Sequence, residues 1–303
     1  MKILVTYSNS FPGFFIKKKL KKNFTVLDEE LDCENYGLTN KFLKENKPDL
    51  IILNVPFAGG IKMNIERPAE LMIKNLEVQR NIILSAFQNN IKKLIFIGSS
   101  CMYPKTFARK LKEGDLLSGL LEETNTAYSI AKISGWQLCK SLNKQYKTEY
   151  ITLIPANLYG ERDDIDGETA HVIGSLISRF YEAKLKKQNE IIIWGSGKPI
   201  RDFLYAEDFA GAINFLIKNN VKCDEINAGS GAGYSIKKLA GLIAGIYNYK
   251  GKLIFDKTKP DGMPIKLLDA TKIKNMGWSP QYSLESGLKR TINWHIKRLR
   301  KNS

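Results

Sequence analysis

Leu94-Ile95-Phe96-Ile97-Gly98-Ser99-Ser100-Cys101-Met102-Tyr103-Pro104 decides the fold of this chain, together with Thr126-Ala127-Tyr128-Ser129-Ile130-Ala131-Lys132 downstream. The first four residues are apolar throughout, the pattern of a parallel strand buried on both faces. The strand breaks at a glycine and two serines. Ser99 and Ser100 therefore stand at the carboxyl end of a strand, where open α/β sheets place their active sites. Tyr128 and Lys132 are four apart and share one face of a helix. A cation beside a phenol favours the phenolate, so the spacing predicts a Tyr128 pKa drawn down from about 10 and a proton donor working near neutral pH. Tyr and Lys at this spacing also occur by chance in many helices. The serine-rich strand end upstream is what gives the pair chemical meaning.

The rest of the chain extends that strand-helix rhythm in both directions. Lys2–Thr6, Phe24–Leu27 and Leu50–Asn54 read as strands, with helices over Phe14–Lys22, Leu38–Asn46 and Ala69–Asn89. A helix from Tyr128 to about Tyr146 and a strand over Tyr150–Ile154 follow. This alternation predicts a Rossmann-type α/β fold with a doubly wound parallel sheet. Beyond Pro155 the rhythm changes. Helices are expected over His171–Lys184, Ala206–Lys218, Ser235–Tyr247 and Leu284–Arg298, strands at Ile191–Trp194 and Leu253–Phe255. These read as a smaller α/β domain that caps the active edge of the sheet. The expected division is 1–162 plus about 203–228 for the dinucleotide-binding domain, and about 163–202 plus 229–303 for the other.

Two stretches bear on a cofactor. The turn after the first strand, Thr6-Tyr7-Ser8-Asn9-Ser10-Phe11-Pro12-Gly13, keeps one glycine, Gly13, of the usual three. Ser8, Asn9 and Ser10 either offer backbone and hydroxyl donors to a phosphate or form a plain polar loop. The second strand ends at Leu27-Asp28-Glu29-Glu30. An acidic residue there, such as Asp28, can hydrogen-bond an adenosine ribose and disfavours a 2′-phosphate, which points toward NAD. A surface acidic cluster is equally ordinary.

Composition narrows the classes. The chain has 303 residues, 43% hydrophobic and 26% charged, which is ordinary for a globular protein. No apolar run approaches the ~20 residues of a membrane span. A strand starting at Lys2 leaves no room for a signal peptide. Cys33, Cys101, Cys139 and Cys223 show no metal-ligand spacing, so no metal is expected, and a reduced, cytoplasmic protein is the simple reading. The net charge of +16 comes mostly from scattered lysines. With no nucleic-acid motif present, a lysine-rich composition accounts for it, and neither nucleic acid nor membrane is expected as a partner. The charge also suits an anionic substrate.

Several stretches in order carry a resemblance. They are Gly98–Pro104, Tyr128–Lys132, Asn157-Leu158-Tyr159-Gly160, His171-Val172-Ile173, Trp194-Gly195-Ser196-Gly197, Arg201 with Phe203-Leu204, and Lys259-Pro260-Asp261-Gly262 through Lys266-Leu267-Leu268-Asp269. On these the chain resembles the extended short-chain dehydrogenase/reductases (the NAD-dependent epimerase/dehydratase family), and within them the GDP-L-fucose synthases. The resemblance covers nearly the whole chain. It implies NADP(H), a GDP-sugar substrate and a homodimer, with polysaccharide biosynthesis as the setting. The implied reaction epimerises a GDP-4-keto-6-deoxy-sugar at C3 and C5, then reduces it at C4. It further implies Ser99, Tyr128 and Lys132 as the reductive triad, Ser99 being taken over Ser100 because it stands four before Tyr103. Cys101 and His171 match the epimerisation base and acid. Arg179, Trp194, Arg201 and Asp261 match substrate-binding positions, and Ser8, Asn9, Ser10, Gly13, Asp28, Lys132, Asn157 and Leu158 match cofactor-binding ones.

The chemistry agrees with the resemblance. Carbons flanking a ketone carry acidic protons, a thiol needs only a modest shift to act as a base, and histidine can return a proton at neutral pH. Guanidinium suits a pyrophosphate, and Trp194 offers a stacking face. Against these stand plain alternatives: Cys101 as a small hydrophobe, His171 as a surface residue, Trp194 as core. Three departures from the family pattern are visible. The glycine turn is mostly lost, Asp28–Glu30 replaces basic residues, and Ile265 stands where an arginine is usual. The alternatives are therefore a GDP-4-keto-6-deoxy-heptose C4 reductase without epimerisation and a non-catalytic sugar-nucleotide-binding protein. The intact Ser99/Tyr128/Lys132 set argues against the latter.

Overall fold

The computed structural model describes residues 1–27, 31–105, 109–165, 167, 170–259 and 261–302. In the amino-terminal half, β1 (Lys2–Val5), α1 (Gly13–Leu20), β2 (Thr25–Leu27), α2 (Tyr36–Asn46) and β3 (Leu50–Leu53) follow one another. The Asn35 side chain starts α2 by accepting from Leu38 N at 3.1 Å. Then come α3 (Ile61–Glu66), α4 (Pro68–Gln88), β4 (Lys93–Ile97), α5 (Thr126–Tyr146) and β5 (Glu149–Pro155). Pro68 sits in the first turn of α4, where its missing N–H costs nothing.

The second half contains β6 (Asn157–Tyr159), α6 (Val172–Leu185), β7 (Glu190–Trp194), β8 (Ile200–Tyr205), α7 (Ala206–Lys218) and β9 (Glu225–Ala228). It closes with β10 (Gly233–Ser235), α8 (Ile236–Tyr247), β11 (Lys252–Asp256), β12 (Ile265–Lys266), α9 (Thr271–Asn275) and α10 (Leu284–Asn302).

Six strands form one parallel sheet in the order β2-β1-β3-β4-β5-β9. The fully apolar runs predicted to be buried are buried: Leu50 to Leu53 and Leu94 to Ile97 are each at most 5% exposed. This is the doubly wound sheet expected from the sequence. Chain order reverses at β1, which has β2 on one side and β3 on the other. Such a switch point opens a crevice at the carboxyl ends of the strands.

The remaining strands build the second lobe: β8 pairs with β6, β10 and β12, and β7 pairs with β11. Asn157–Tyr159 leaves the main sheet and pairs with β8, Asn157 opposite Phe203 and Leu158 opposite Leu204. Arg201 lies within β8 itself. The short α3, α9 and β12 were not anticipated, because segments this brief carry too few residues to show a period.

Two apolar cores result. The first fills both faces of the large sheet and takes in Leu268, Ala270, Ile273 and Trp278 from far down the chain. The second joins α6, α8 and α10 to β7 and β8, and includes Tyr159, Phe203 and Tyr205.

Candidate active site

The end of β4 leaves the sheet at Gly98, where an added Cβ would lie 3.1 Å from Met102 Sδ and 3.2 Å from Thr152 Cγ2. That tightness lets the chain turn at once into one 3-10 turn, Ser100–Met102. Ser99 caps the turn, its hydroxyl accepting from Cys101 N at 3.2 Å. Ser100 is buried beneath it. Cys101 is half-buried, and Asn125 Nδ2 reaches its sulfur at 3.4 Å. Asn125 immediately precedes α5, so the two segments quoted at the outset meet here.

On α5, Tyr128 and Lys132 lie one turn apart, as their spacing requires. Lys132 is 1% exposed, and its Nζ sits 5.8 Å from the Tyr128 ring centroid and 5.2 Å from that of Phe96. Its hydrogen bond, to Ile97 O, is long at 3.3 Å. Burial pushes the Lys132 amine down to about 7. The expected lowering of the Tyr128 pKa is therefore corrected. Burial, and next the Cys101 sulfur, push the phenol up, with the Ser99 hydrogen bond pulling weakly the other way. A lysine stripped of water gives up much of its charge and no longer draws out the phenol proton. Tyr128 is consequently an O–H donor throughout the neutral range.

His171 stands at the N-terminal boundary of α6, its carbonyl accepting from Ser175 N at 2.9 Å. His171 is a solvent-exposed residue, although many protein atoms lie around its ring. Burial, and after it the Lys266 ammonium, lower its pKa, while the Asp164 carboxylate pulls it back up. Lys266 Nζ also lies 3.1 Å from Cys101 Sγ. Lys266 and Asn125 were not singled out from the sequence. One is a lysine among 47 Lys and Arg, the other a lone asparagine before a helix, and neither has a spacing signal.

Farther out, Arg179 on α6 donates to Ile192 O at 2.8 Å and stands 5.8 Å from the Trp194 ring, which Lys259 approaches to 5.4 Å. Trp194 is 57% exposed, so its indole is a surface platform flanked by these two cations rather than core. Asp261 receives Ser196 N and Oγ, both at 2.6 Å. Half-buried Arg201 donates to Met263 O at 2.6 Å and feels the charges of Cys101, Asp261 and Glu122, which places it between the two groups. Burial lowers its pKa.

The turn after β1 is largely bonded to itself. Ser10 donates to Tyr7 O at 2.8 Å and accepts from Asn54 Nδ2 at 3.1 Å, and Asn9 accepts from Lys17 at 2.6 Å. Ser8 is buried. Tyr7 takes the left-handed backbone, φ 48°, that a glycine would take freely. Gly13 is still required: a Cβ there would run into Tyr7 O. Asp28 lies outside the described residues. Asn157 and Leu158 are half-buried on β6. A dinucleotide fits this arrangement on two counts. The Gly13 turn stands at the sheet's switch point, and among the described residues the buried Lys132 amine has a single long hydrogen bond, leaving donors for a ligand hydroxyl.

One tie fixes the geometry. Fully buried Asn227 on β9 accepts from Tyr103 OH at 2.7 Å and donates to Leu111 O at 3.0 Å and Asp269 O at 3.1 Å. It thus joins the loop that carries Cys101 to the segment that carries Lys266. Among the described residues no group of His, Cys, Asp and Glu could hold a metal ion, and no helix is long and apolar enough to cross a membrane.

Known proteins share both the sequence and the shape. The chain is 42% identical over 274 residues to a GDP-L-fucose synthase of Sinorhizobium fredii, covering 90% of this chain and 87% of that one. A solved GDP-6-OMe-4-keto-L-xylo-heptose reductase from C. jejuni superposes with a TM-score of 0.88 at 31% identity, over 98% of each chain. A GDP-mannoheptose C4 reductase from Campylobacter jejuni with NADP bound superposes at 0.85 and 31% identity, over 97% of this chain and 98% of that one. Residues 15–229 match the profile described as the NAD dependent epimerase/dehydratase family. With a parallel sheet switching at β1 and a Tyr–Lys pair beneath a serine-bearing strand end, the chain belongs to that family.

Proposed function

We propose that this protein reduces the C4 ketone of a GDP-4-keto-6-deoxy-sugar with NADPH, after epimerising C3 and C5. The observation that carries the reading is the meeting in one cleft of Ser99, Tyr128 and Lys132 with Cys101, two residues beyond Ser99, and with the His171–Lys266 side of the second lobe. NADPH, when bound, supplies the hydride. The first-core lobe would receive it along Ser8, Asn9, Ser10, Gly13, Asn157 and Leu158, with Lys132 on the nicotinamide ribose. The second lobe would take the GDP-sugar, with Trp194 stacking on the base and Arg179 and Arg201 on the pyrophosphate.

The proton steps follow from the side chains. Cys101 takes the proton from the carbon beside the ketone, and the electron pair of that C–H bond moves toward the C4 oxygen. Ser99 and Tyr128 donate hydrogen bonds to this enolate oxygen as its charge develops. His171 returns a proton to the carbon. In the reduction Tyr128, held protonated by its burial, gives its proton to the C4 oxygen.

Reduction of a GDP-4-keto-heptose without epimerisation is a second reading. It is favoured by the likeness to two heptose C4 reductases and by Ile265 in place of an arginine. The deciding experiment is incubation of the enzyme with GDP-4-keto-6-deoxy-mannose in D₂O without reduced cofactor. Deuterium at C3 or C5 supports epimerisation. Ketone reduction on adding NADPH with no prior exchange would establish the heptose-type reading. We further propose a cytoplasmic homodimer serving polysaccharide synthesis; exposed Ile73 on α4 and Ile130 and Leu138 on α5 give it an apolar face.

A further inference from the structure

We infer that Lys266 is a third side chain of the epimerisation centre, a positioning residue that orients the Cys101 sulfur and supplies its counter-charge while a proton is held there. The inference rests on the epimerase reading and adds to it a residue from the far end of the chain.

Lys266 is half-buried, and its ammonium donates to Cys101 Sγ at 3.1 Å across 165 residues of sequence. Among the described residues no carboxylate pairs with it, so its hydrogen bond goes to sulfur where an ordinary lysine would find an acid. The contact is built rather than incidental. Asn227 ties Tyr103, two residues past Cys101, to Asp269, three residues past Lys266. The backbones of the same segments meet as well: Leu111 N donates to Leu267 O and Asp269 N to Leu111 O, both at 2.8 Å. In the second lobe Lys266 lies directly opposite Arg201 in the parallel β12–β8 pair. Two cations on neighbouring strands thus converge on one thiol, with Asn125 from α5 on another side of it. Asp164, Asp261 and Glu122 are the carboxylates facing this group among the described residues, the first through His171 and the other two through Arg201.

The chemistry needs such a cation. When the C–H bond beside the ketone breaks, its proton goes to Sγ and its electron pair to the enolate; nothing is oxidised or reduced. Before that step the sulfur must carry a negative charge, and an ammonium at hydrogen-bond distance stabilises it. The same ammonium faces His171 and makes its proton easier to release to the carbon.

The test compares Lys266→Met, which keeps length and loses charge, with Lys266→Arg. Each is assayed for deuterium exchange at C3 and C5, for C4 reduction of a pre-epimerised substrate, and for iodoacetamide alkylation of Cys101 followed by peptide mapping. Thermal melting controls for folding. We expect Lys266→Met to lose about a hundredfold in exchange, in line with removal of a group assisting general acid–base catalysis. Reduction should fall far less, and alkylation at pH 7 should slow about tenfold. Lys266→Arg should restore much of the exchange. If native protein exchanges deuterium and Lys266→Met matches it in exchange and alkylation, the inference is overturned while the epimerase reading stands. If native protein shows no exchange, the epimerase reading falls and the role of Lys266 with it.

Discussion

Tyr128 and Lys132 show how a correct pairing can carry the wrong electrostatics. Their contact was legible from a four-residue spacing; the loss of charge on Lys132 was not, because it depends on burial by Ile97 and Phe96 from another strand. Reduction needs the Tyr128 proton, so Tyr128→Phe should bind NADPH normally and lose 10²–10⁴-fold in C4 reduction; near-native turnover would refute the assignment. Lys132 has a separate signature in stability. Its folded pKa is pushed down to about 7, against about 10.4 in an unfolded chain. The folded state therefore binds fewer protons in that window, and stability conferred by raising the pH accrues between about 7 and 10. Below pH 7 the penalty is present in full. Lys132→Met should be more stable than native by a few kcal/mol at pH 7 and should flatten this part of the curve while abolishing reduction. Buried Asp163, raised to about 7, tilts the curve the other way: its contribution is present below about pH 4 and lost as pH rises through 7. Denaturant melts of native protein and Lys132→Met at pH 6, 7, 8 and 9 check the signs.

Strands β1, β3, β4 and β5 were readable because uninterrupted apolar runs between helices leave few alternatives. Strands β6, β8 and β12 were not: they are short, half-polar and stabilised by partners distant in sequence, so no local period marks them. Yet these are the elements that bring Arg201 and Lys266 to Cys101. The same blindness hid the Asn227 tie, since a buried asparagine has no spacing rule; only its three partners give it meaning. Asn227→Ala removes three side-chain hydrogen bonds and takes the partner from Tyr103 OH and Asp269 O, while Leu111 O keeps Asp269 N. At roughly 1–3 kcal/mol for a buried unsatisfied group, a loss of about 2–4 kcal/mol is expected. In a chain of this size that corresponds to a melting point lower by about 3–6 °C. If the tie sets the sulfur–ammonium approach, deuterium exchange should fall more than C4 reduction. Equal loss of both activities would show that Asn227 supports the fold alone.

Across the assembled protein, the cofactor question has its own measurement. The glycine-poor turn is bonded to itself through Asn54, Ser10 and Tyr7, so fewer donors remain for phosphate there than a three-glycine turn would provide. The family match and the NADP-bound relative nonetheless favour NADPH. A thermal-shift titration should show a larger stabilisation by NADPH than by NADH at equal concentration, since stabilisation follows RT ln(1 + [L]/Kd). The opposite order would point to Asp28 and an NAD preference. GDP alone should add to the shift by occupying the Trp194 side.

The return of Leu268, Ala270, Ile273 and Trp278 into the first core carries a consequence for synthesis. Domains usually fold in order as they leave the ribosome, at about 5–20 residues per second. Here the amino-terminal sheet cannot complete its core until residue 278 has emerged. The nascent sheet must wait with an apolar face open, and chaperone occupancy on arrested chains should persist until that segment clears the exit tunnel.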